Sequence, residues 1–131
     1  MQSRWLIPLG IVAFLTAGRG QAVAHHSISA MYMQDQSVTI KGTLREFLWR
    51  NPHSLFKVEA QDDNGVLHVW VIEGATPTQL ASDGMTRTTL KPNDQVIVTG
   101  RPGRGAAGDY RMLLQRIERP SDGFKWQGNS N

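Results

Sequence analysis

Residues 53–73 read HSLFKVEA-QDDNG-VLHVWVIE, with two largely apolar segments on either side of a polar one. The segments 53–60 and 66–73 alternate in polarity and are rich in β-branched and aromatic side chains, which predicts two strands. The residues between them, 61–65, are polar and end in Asn-Gly, a strong signal for a hairpin turn. This stretch therefore predicts an antiparallel β-hairpin.

The register of this hairpin follows from the length of its loop. With residues 61–65 as the loop, Ala60 pairs with Val66 and, further along the ladder, His53 pairs with Glu73. Side chains that lie directly opposite each other in a ladder have Cβ atoms about 5 Å apart. We therefore expect His53 and Glu73 to interact directly.

The rest of the chain extends the hairpin into a mostly β plan with one short helix. Gly42 lies where a long first strand is expected to bend or bulge. The predicted elements are strands at 37–50, 53–60, 66–73, 95–100 and 111–118 and a helix over 76–82. This order, β-β-β-α-β-β, is that of the OB-fold, a five-stranded, partly open barrel. We expect a small OB-like barrel, with a small β-sandwich as the alternative.

The first 24 residues have the pattern of a secretory signal peptide. Arg4 supplies a basic start, residues 5–16 (WLIPLGIVAFLT) are apolar, and residues 22–24 (AVA) form a small-x-small cleavage site. The apolar run is shorter than the roughly 20 residues that a membrane span needs. We expect a secreted protein of the bacterial periplasm with no transmembrane helix after cleavage.

Composition and charge exclude several classes of site. The chain has 131 residues and no cysteine, which excludes disulfides, thiolate zinc sites, iron–sulfur clusters and a catalytic cysteine. The formal net charge is +3, but removing Arg4 and Arg19 with the signal peptide leaves 12 basic and 11 acidic residues, a net charge of +1. Such a small charge argues against nucleic acid as a partner.

These observations divide the chain into four parts. We expect a signal peptide at 1–24, an N-terminal segment at 25–36, the OB-like barrel at 37–120 and a flexible, polar tail at 121–131. A mature chain of this size can form one core and no more.

A series of short motifs runs through the mature chain. They are Ala-His-His-Ser at 24–27, Trp-Arg-Asn-Pro-His at 49–53, Trp-x-x-Glu-Gly at 70–74 and Thr-Arg-x-x-Leu-Lys-Pro-x-Asp at 86–94. In these motifs and their order the chain resembles a family of small secreted bacterial proteins classed as a domain of unknown function. It departs from the family pattern at Met85, often Trp in the family, and at Asn93, usually Gly. The resemblance implies a periplasmic, OB-like domain and no established activity.

The mature N-terminus carries a candidate copper site. Signal cleavage makes His25 the first residue, and its α-amine and imidazole can chelate one metal ion. A further imidazole, from His26 or His53, completes a planar set of nitrogen donors, which suits Cu(II). Glu73 is the candidate oxygen ligand or the acceptor that orients His53, whereas His68 falls on the other face of the hairpin. Alternatively, the terminal histidines are ordinary solvated residues and His53 and Glu73 form a structural pair.

A second hypothesis is a binding module without a metal. OB-folds bind oligonucleotides and oligosaccharides across one face of the barrel, and basic residues interleaved with aromatic ones can follow a polyanion. The candidate ligands are a glycan, a lipid headgroup, a polyanion or a protein partner. The candidate binding residues are Lys41, Arg45, Phe47 and Trp49, which share one parity of the first strand, and Arg87.

No motif predicts an enzyme. The glycine-rich segment at 100–105 (GRPGRG) lacks the Gly-Lys-Ser/Thr ending of a phosphate-binding loop. No Gly-x-Ser-x-Gly motif of a hydrolase is present either. We therefore expect a non-catalytic protein that binds a metal ion or another small ligand.

Overall fold

The structure, a computed structural model, describes residues 29–128. The predicted signal peptide and the candidate ligands His25 and His26 lie outside these residues. Besides a helical stretch at residues 29–31, the described elements are six strands and one α-helix: β1 (Val38–Leu48), β2 (Leu55–Gln61), β3 (Leu67–Glu73), α1 (Pro77–Ser82), β4 (Gln95–Pro102), β5 (Arg111–Arg119) and β6 (Phe124–Gln127). A short 3₁₀ turn at Ala106–Gly108 lies between β4 and β5.

The strands form one sheet that closes on itself. Their order is β3-β2-β1-β4-β5-β6, and all neighbours in this order are antiparallel. A parallel pairing of Val71–Glu73 in β3 with Arg111–Leu113 in β5 closes the first five strands into a barrel. The predicted OB-like barrel is confirmed, and the closure excludes the β-sandwich alternative.

The barrel encloses a single core of 15 buried hydrophobic side chains. The helix α1 contributes Leu80 to it, and the segment after the helix contributes Met85 and Leu90. The helix begins where the sequence predicts, because Thr76 forms a capping box with Gln79. The segment between β3 and β4 is thereby packed onto the core.

The β2–β3 hairpin forms with its loop one residue later in the chain than the sequence predicts. Ala60 pairs with His68 rather than with Val66, and the loop is 62–66. The reason is Asp62, whose Oδ1 accepts hydrogen bonds from the amides of Asn64 and Val66 and so holds these residues in the turn. The register shifts by two residues, which preserves the predicted faces of both strands.

A β-bulge divides β1 into two halves that face differently. The register slips between Leu44, opposite Val58, and Glu46, opposite Lys57. The residue in between is Arg45, so the alternation of inward and outward side chains reverses there. The bulge thus lies three residues after Gly42, the position at which the sequence predicts a bend or bulge. Gly42 instead permits close strand contact, since a Cβ there would lie 2.2 Å from the Glu59 carbonyl oxygen.

The predicted flexible tail contains a sixth strand. Residues Phe124–Gln127 form β6, which pairs with the second half of β5. Trp126 is 3 % exposed and lies opposite Ile117 in the core. Gly123, with a φ of 76°, supplies the left-handed turn residue before the strand. Two alternating aromatic residues after a turn thus form a strand in a segment that is otherwise polar.

Residues 29–34, here called the N-terminal arm, lie against the loop that joins β4 to β5. The Met33 amide donates to the Pro102 carbonyl, and the Arg104 amide donates to the Met31 carbonyl. Tyr32 bridges to Gly103 between these bonds and is 2 % exposed. Within residues 29–128, no helix is long and apolar enough to cross a membrane.

Candidate functional site

His53 and Glu73 contact each other at one end of the barrel. His53 lies just before β2 and Glu73 is the last residue of β3. The residue opposite Glu73 in the ladder is Leu55, so the predicted direct pairing with His53 is wrong. The two side chains nevertheless meet, since Nδ1 of His53 is hydrogen-bonded to Oε1 of Glu73.

The second oxygen of Glu73 holds the N-terminal arm. The hydroxyl of Tyr32 donates to Oε2 over 2.7 Å, so each carboxylate oxygen accepts one hydrogen bond. Burial raises the pKa of Glu73, but the hydrogen bonds from His53 and Tyr32 lower the pKa more, and it lies below its ordinary value. Burial, and then the hydrogen bond to Glu73, raise the pKa of Tyr32. The Glu73 side chain is therefore ionised and the phenol protonated at neutral pH.

This arrangement determines which nitrogen of His53 faces outward. An ionised carboxylate only accepts hydrogen bonds, so Nδ1 of His53 carries the proton. In the neutral ring, Nε2 then keeps its lone pair, and within residues 29–128 no hydrogen bond to Nε2 is formed. The side chain of His53 is 32 % exposed. The ring is thus held by one nitrogen and offers the other as a ligand atom.

The described part of the chain does not complete a metal site by itself. Among residues 29–128, no group of three or more His, Cys, Asp or Glu side chains is arranged to hold a metal ion. Of the four predicted metal-site residues, the structure brings His53 and Glu73 together, and His25 and His26 lie outside the described residues. The sequence does not predict Tyr32 as part of the site. The local signal for it is an aromatic residue between two methionines at 31–33.

His68 belongs to a different cluster, as the sequence predicts. Its Nε2 lies 2.9 Å from Oδ2 of Asp62 and 3.2 Å from the hydroxyl of Tyr110. The rings of His68 and Tyr110 are stacked with their centroids 3.9 Å apart. Trp70 contacts Tyr110 edge-on. Unlike His53, His68 therefore has its Nε2 engaged by neighbouring side chains.

The residues of the second hypothesis do not share one face. Lys41 and Arg45 are exposed, and Arg45 forms an ion pair of 2.6 Å with Glu59. Beyond the bulge, Phe47 and Trp49 pack against the core. The prediction that these four residues lie on one face of β1 is wrong, because the bulge at Arg45 reverses the alternation.

Arg87 is separate from this group. It is exposed in the segment between α1 and β4. The acid Asp94, in the same segment, is bound by Arg119, whose guanidinium lies 2.6 Å from its Oδ2. The predicted basic and aromatic surface is therefore not assembled.

A pocket lies beside the arm. Its volume is about 210 Å³. The lining residues come from the arm and from the β4–β5 connection: Ala30, Met31, Tyr32, Gly103, Arg104, Ala107, Gly108 and Arg111. Arg104 also donates through Nε to the carbonyls of Ser29 and Tyr32. Two guanidinium groups thus border a small pocket whose other walls are mainly small side chains and backbone.

Comparisons with known proteins identify the family and not the activity. No curated protein sequence matches the chain. Among solved structures, the chain is similar to the mitochondrial single-stranded DNA binding protein Rim1 of S. cerevisiae, with 11 % sequence identity. The similarity covers 72 % of this chain and 97 % of that chain at a TM-score of 0.47, which is too distant to indicate a ligand. The profile of the family of unknown function DUF6152 matches residues 13–110, most of the sequence, and the chain therefore belongs to this family.

Proposed function

We propose that the protein is a secreted, periplasmic binding protein that takes up Cu(II) at its mature N-terminus. The observation that carries this proposal is the hydrogen bond between Nδ1 of His53 and the carboxylate of Glu73. Histidines that bind metals usually donate their other ring N–H to a carboxylate or carbonyl, which orients the ring and raises its basicity. His53 has this arrangement, and its Nε2 is the nitrogen that would bind the metal.

The proposed ligands combine this ring with the N-terminal residue. His25 supplies its α-amine and imidazole after signal cleavage, and His53 supplies Nε2. His26 is the candidate for a further nitrogen. A set of nitrogen donors in one plane favours Cu(II) over other divalent ions. Glu73 acts as the orienting acceptor, because its Oε1 is hydrogen-bonded to Nδ1 of His53.

The position of the arm makes this set of ligands reachable. Tyr32 and His53 bind the two oxygens of the same carboxylate. His25 lies seven positions before Tyr32. Because residues 29–31 are helical, this stretch spans at most about 18 Å. The chain is therefore long enough for the mature N-terminus to reach His53.

The test uses protein that has been secreted and processed natively, without an N-terminal tag. Mass spectrometry first establishes whether His25 is the first residue. Cu(II) is then titrated by calorimetry into this protein and into a variant with three additional residues before His25, so that neither histidine stands in the third position of a new N-terminus. We expect tight one-to-one binding that the extended variant loses, because the extension replaces the α-amine with an amide. Equal affinity of both proteins would contradict the proposal.

A second candidate function is binding of a small anion without a metal. The observation that favours it is the pocket beside the arm, bordered by Arg104 and Arg111. Guanidinium groups bind carboxylate and phosphate groups through paired hydrogen bonds. Inorganic phosphate is the probe, and chemical shifts of the arm amides are the readout. We expect a saturable shift that Arg111→Gln removes, whereas Arg116→Gln, which changes an arginine of the same strand outside the pocket, preserves it. Identical shifts in both variants would exclude this pocket as the site.

A further inference from the structure

The N-terminal arm is held to the barrel at three consecutive places. Backbone hydrogen bonds of 2.9 Å and 2.8 Å join Met33 to Pro102 and Arg104 to Met31. Between them, Tyr32 is buried, and its ring extends to the end of β3, where it binds Glu73. The two backbone bonds fix the arm along the loop between β4 and β5. The phenol is the contact that ties the arm to Glu73, the carboxylate that binds His53.

Glu73 is the element shared by the arm and the histidine. Its Oε2 accepts the hydroxyl of Tyr32 and its Oε1 binds Nδ1 of His53. The orientation of the carboxylate therefore depends on both partners at once.

We infer that Tyr32 is a positioning residue that couples the N-terminal arm to the ring of His53 through Glu73. This inference rests on the proposed function, since it explains how the N-terminal residue and His53 become parts of one site. Docking of the arm already holds Tyr32 beside Glu73 and His53, so less of the chain has to be ordered when a metal joins the N-terminal residue to His53. The same hydrogen bond fixes the plane of the carboxylate that orients the ring.

Two phenol deletions provide a matched pair of variants. Tyr32→Phe removes the hydroxyl that binds Glu73, and Tyr110→Phe removes the hydroxyl that contacts His68 in the other cluster. Both changes preserve the ring and its packing. The first readout is hydrogen exchange of the Met33 and Arg104 amides in metal-free protein. Tyr32→Phe should speed exchange at both amides by on the order of tenfold, the effect of losing about 1.4 kcal/mol, and Tyr110→Phe should leave it unchanged.

The second readout separates positioning from a general structural effect. Tyr32→Phe should weaken Cu(II) binding by on the order of tenfold, the usual effect of removing a group behind a ligand. In the His53→Ala background the same change should have little effect, because the ring to be positioned is gone. A tyrosine that only supports the fold would weaken binding equally in both backgrounds.

The outcomes distinguish this inference from the proposed function. If native protein binds no Cu(II), the proposed function is wrong, and the exchange rates alone decide whether Tyr32 holds the arm. If native protein binds Cu(II) but Tyr32→Phe changes neither the exchange rates nor the affinity, the inference is overturned and the proposed function stands. Faster hydrogen exchange in the arm, together with a loss of Cu(II) affinity only in protein that retains His53, supports both the inference and the proposed function.

Discussion

The hydroxyl of Tyr32 donates to Oε2 of Glu73 over 2.7 Å and joins residues 41 positions apart in the sequence. Glu73 thereby becomes the meeting point of the N-terminal arm, the end of β3 and His53. A carboxylate with two different partners orients both of them. We propose that Cu(II) binds at this junction.

The first prediction concerns the acid at this junction. In Glu73→Gln, the side chain presents either its NH₂ group or its oxygen to Nδ1 of His53. If the NH₂ group faces Nδ1, the ring proton of His53 has to move from Nδ1 to Nε2. Cu(II) affinity should fall about 10–100-fold, because the metal-facing nitrogen is then protonated. The free energy of unfolding should fall by about 1–3 kcal/mol, since a charged hydrogen-bond acceptor is lost. Calorimetric Cu(II) titration and urea unfolding measure the two effects.

Glu46→Gln is the control for this prediction. Glu46 forms an exposed ion pair with Lys57 in the neighbouring ladder, and such pairs contribute about 0–1 kcal/mol. This variant should bind Cu(II) like the native protein. Equal losses of affinity in the two variants would mean that any change of charge on the barrel weakens binding.

The second prediction concerns stability in acid. Burial raises the pKa of Asp94, but hydrogen bonds from the Lys91 amide and from Arg119 lower it more, to below its ordinary value of 3.8. The hydrogen bond from Arg119 also lowers the pKa of Asp122. Both carboxylates thus have lower pKa values in the folded chain than in the unfolded chain. Their contribution to stability is complete above about pH 4 and is lost as the pH falls through the folded pKa values.

Asp94→Asn tests this dependence. The urea midpoint of the native protein should fall as the pH drops below about 4. The variant should have a lower midpoint at neutral pH, because its amide binds Arg119 less strongly than a carboxylate does. Its further decline in acid should be smaller, since one of the two titrating groups is gone. Parallel pH profiles for the two proteins would contradict the role of Asp94.

The third prediction tests whether β6 belongs to the core. Trp126→Ala should cost about 3–5 kcal/mol, the usual effect of deleting a large buried aromatic side chain. Lys125→Ala, on the exposed side of the same strand, should change stability by less than about 0.5 kcal/mol. Urea unfolding measures both. A similarly small effect of Trp126→Ala would mean that residues 121–128 contribute nothing to the folded barrel.

The fourth prediction concerns the close contact between β1 and β2. Gly42→Ala would place a Cβ 2.2 Å from the carbonyl oxygen of Glu59, which is backbone and cannot rotate away. We expect a loss of at least about 2 kcal/mol, in the range of backbone-strain effects. Lys41→Ala, an exposed neighbour on the same strand, should lie within about 0.5 kcal/mol of the native protein. Equal stability of the two variants in urea would show that the strands can separate at no cost.

The sequence predicts the order of the barrel elements because alternation, turn residues and helix caps are local signals. It does not predict the bulge at Arg45, since two strands must pair before an extra residue can be recognised. The same limit explains why the register of the hairpin is not predicted, since the side chain of Asp62 holds the loop at residues 62–66. β6 was missed because only two of its residues, Phe124 and Trp126, are apolar.

The candidate site was predictable in part, because the hairpin that brings two of its residues together is also a local signal. His53 and Glu73 could be paired from the sequence because both lie at one end of the hairpin, and the contact forms even though the register is shifted. Tyr32 could not be found in this way. Its contact with Glu73 depends on where the arm crosses the β4–β5 loop, and no local pattern in residues 25–36 encodes that crossing.

The Cu(II) affinity of natively processed protein and of two histidine variants tests the proposed site most directly. His53 and His68 are both partly exposed and both pair with an acid, but only His53 keeps its Nε2 without a hydrogen bond among residues 29–128. His53→Ala should weaken Cu(II) binding by at least about tenfold, while His68→Ala should bind like the native protein. Undiminished affinity in His53→Ala, or equal losses in both variants, would contradict the proposed site.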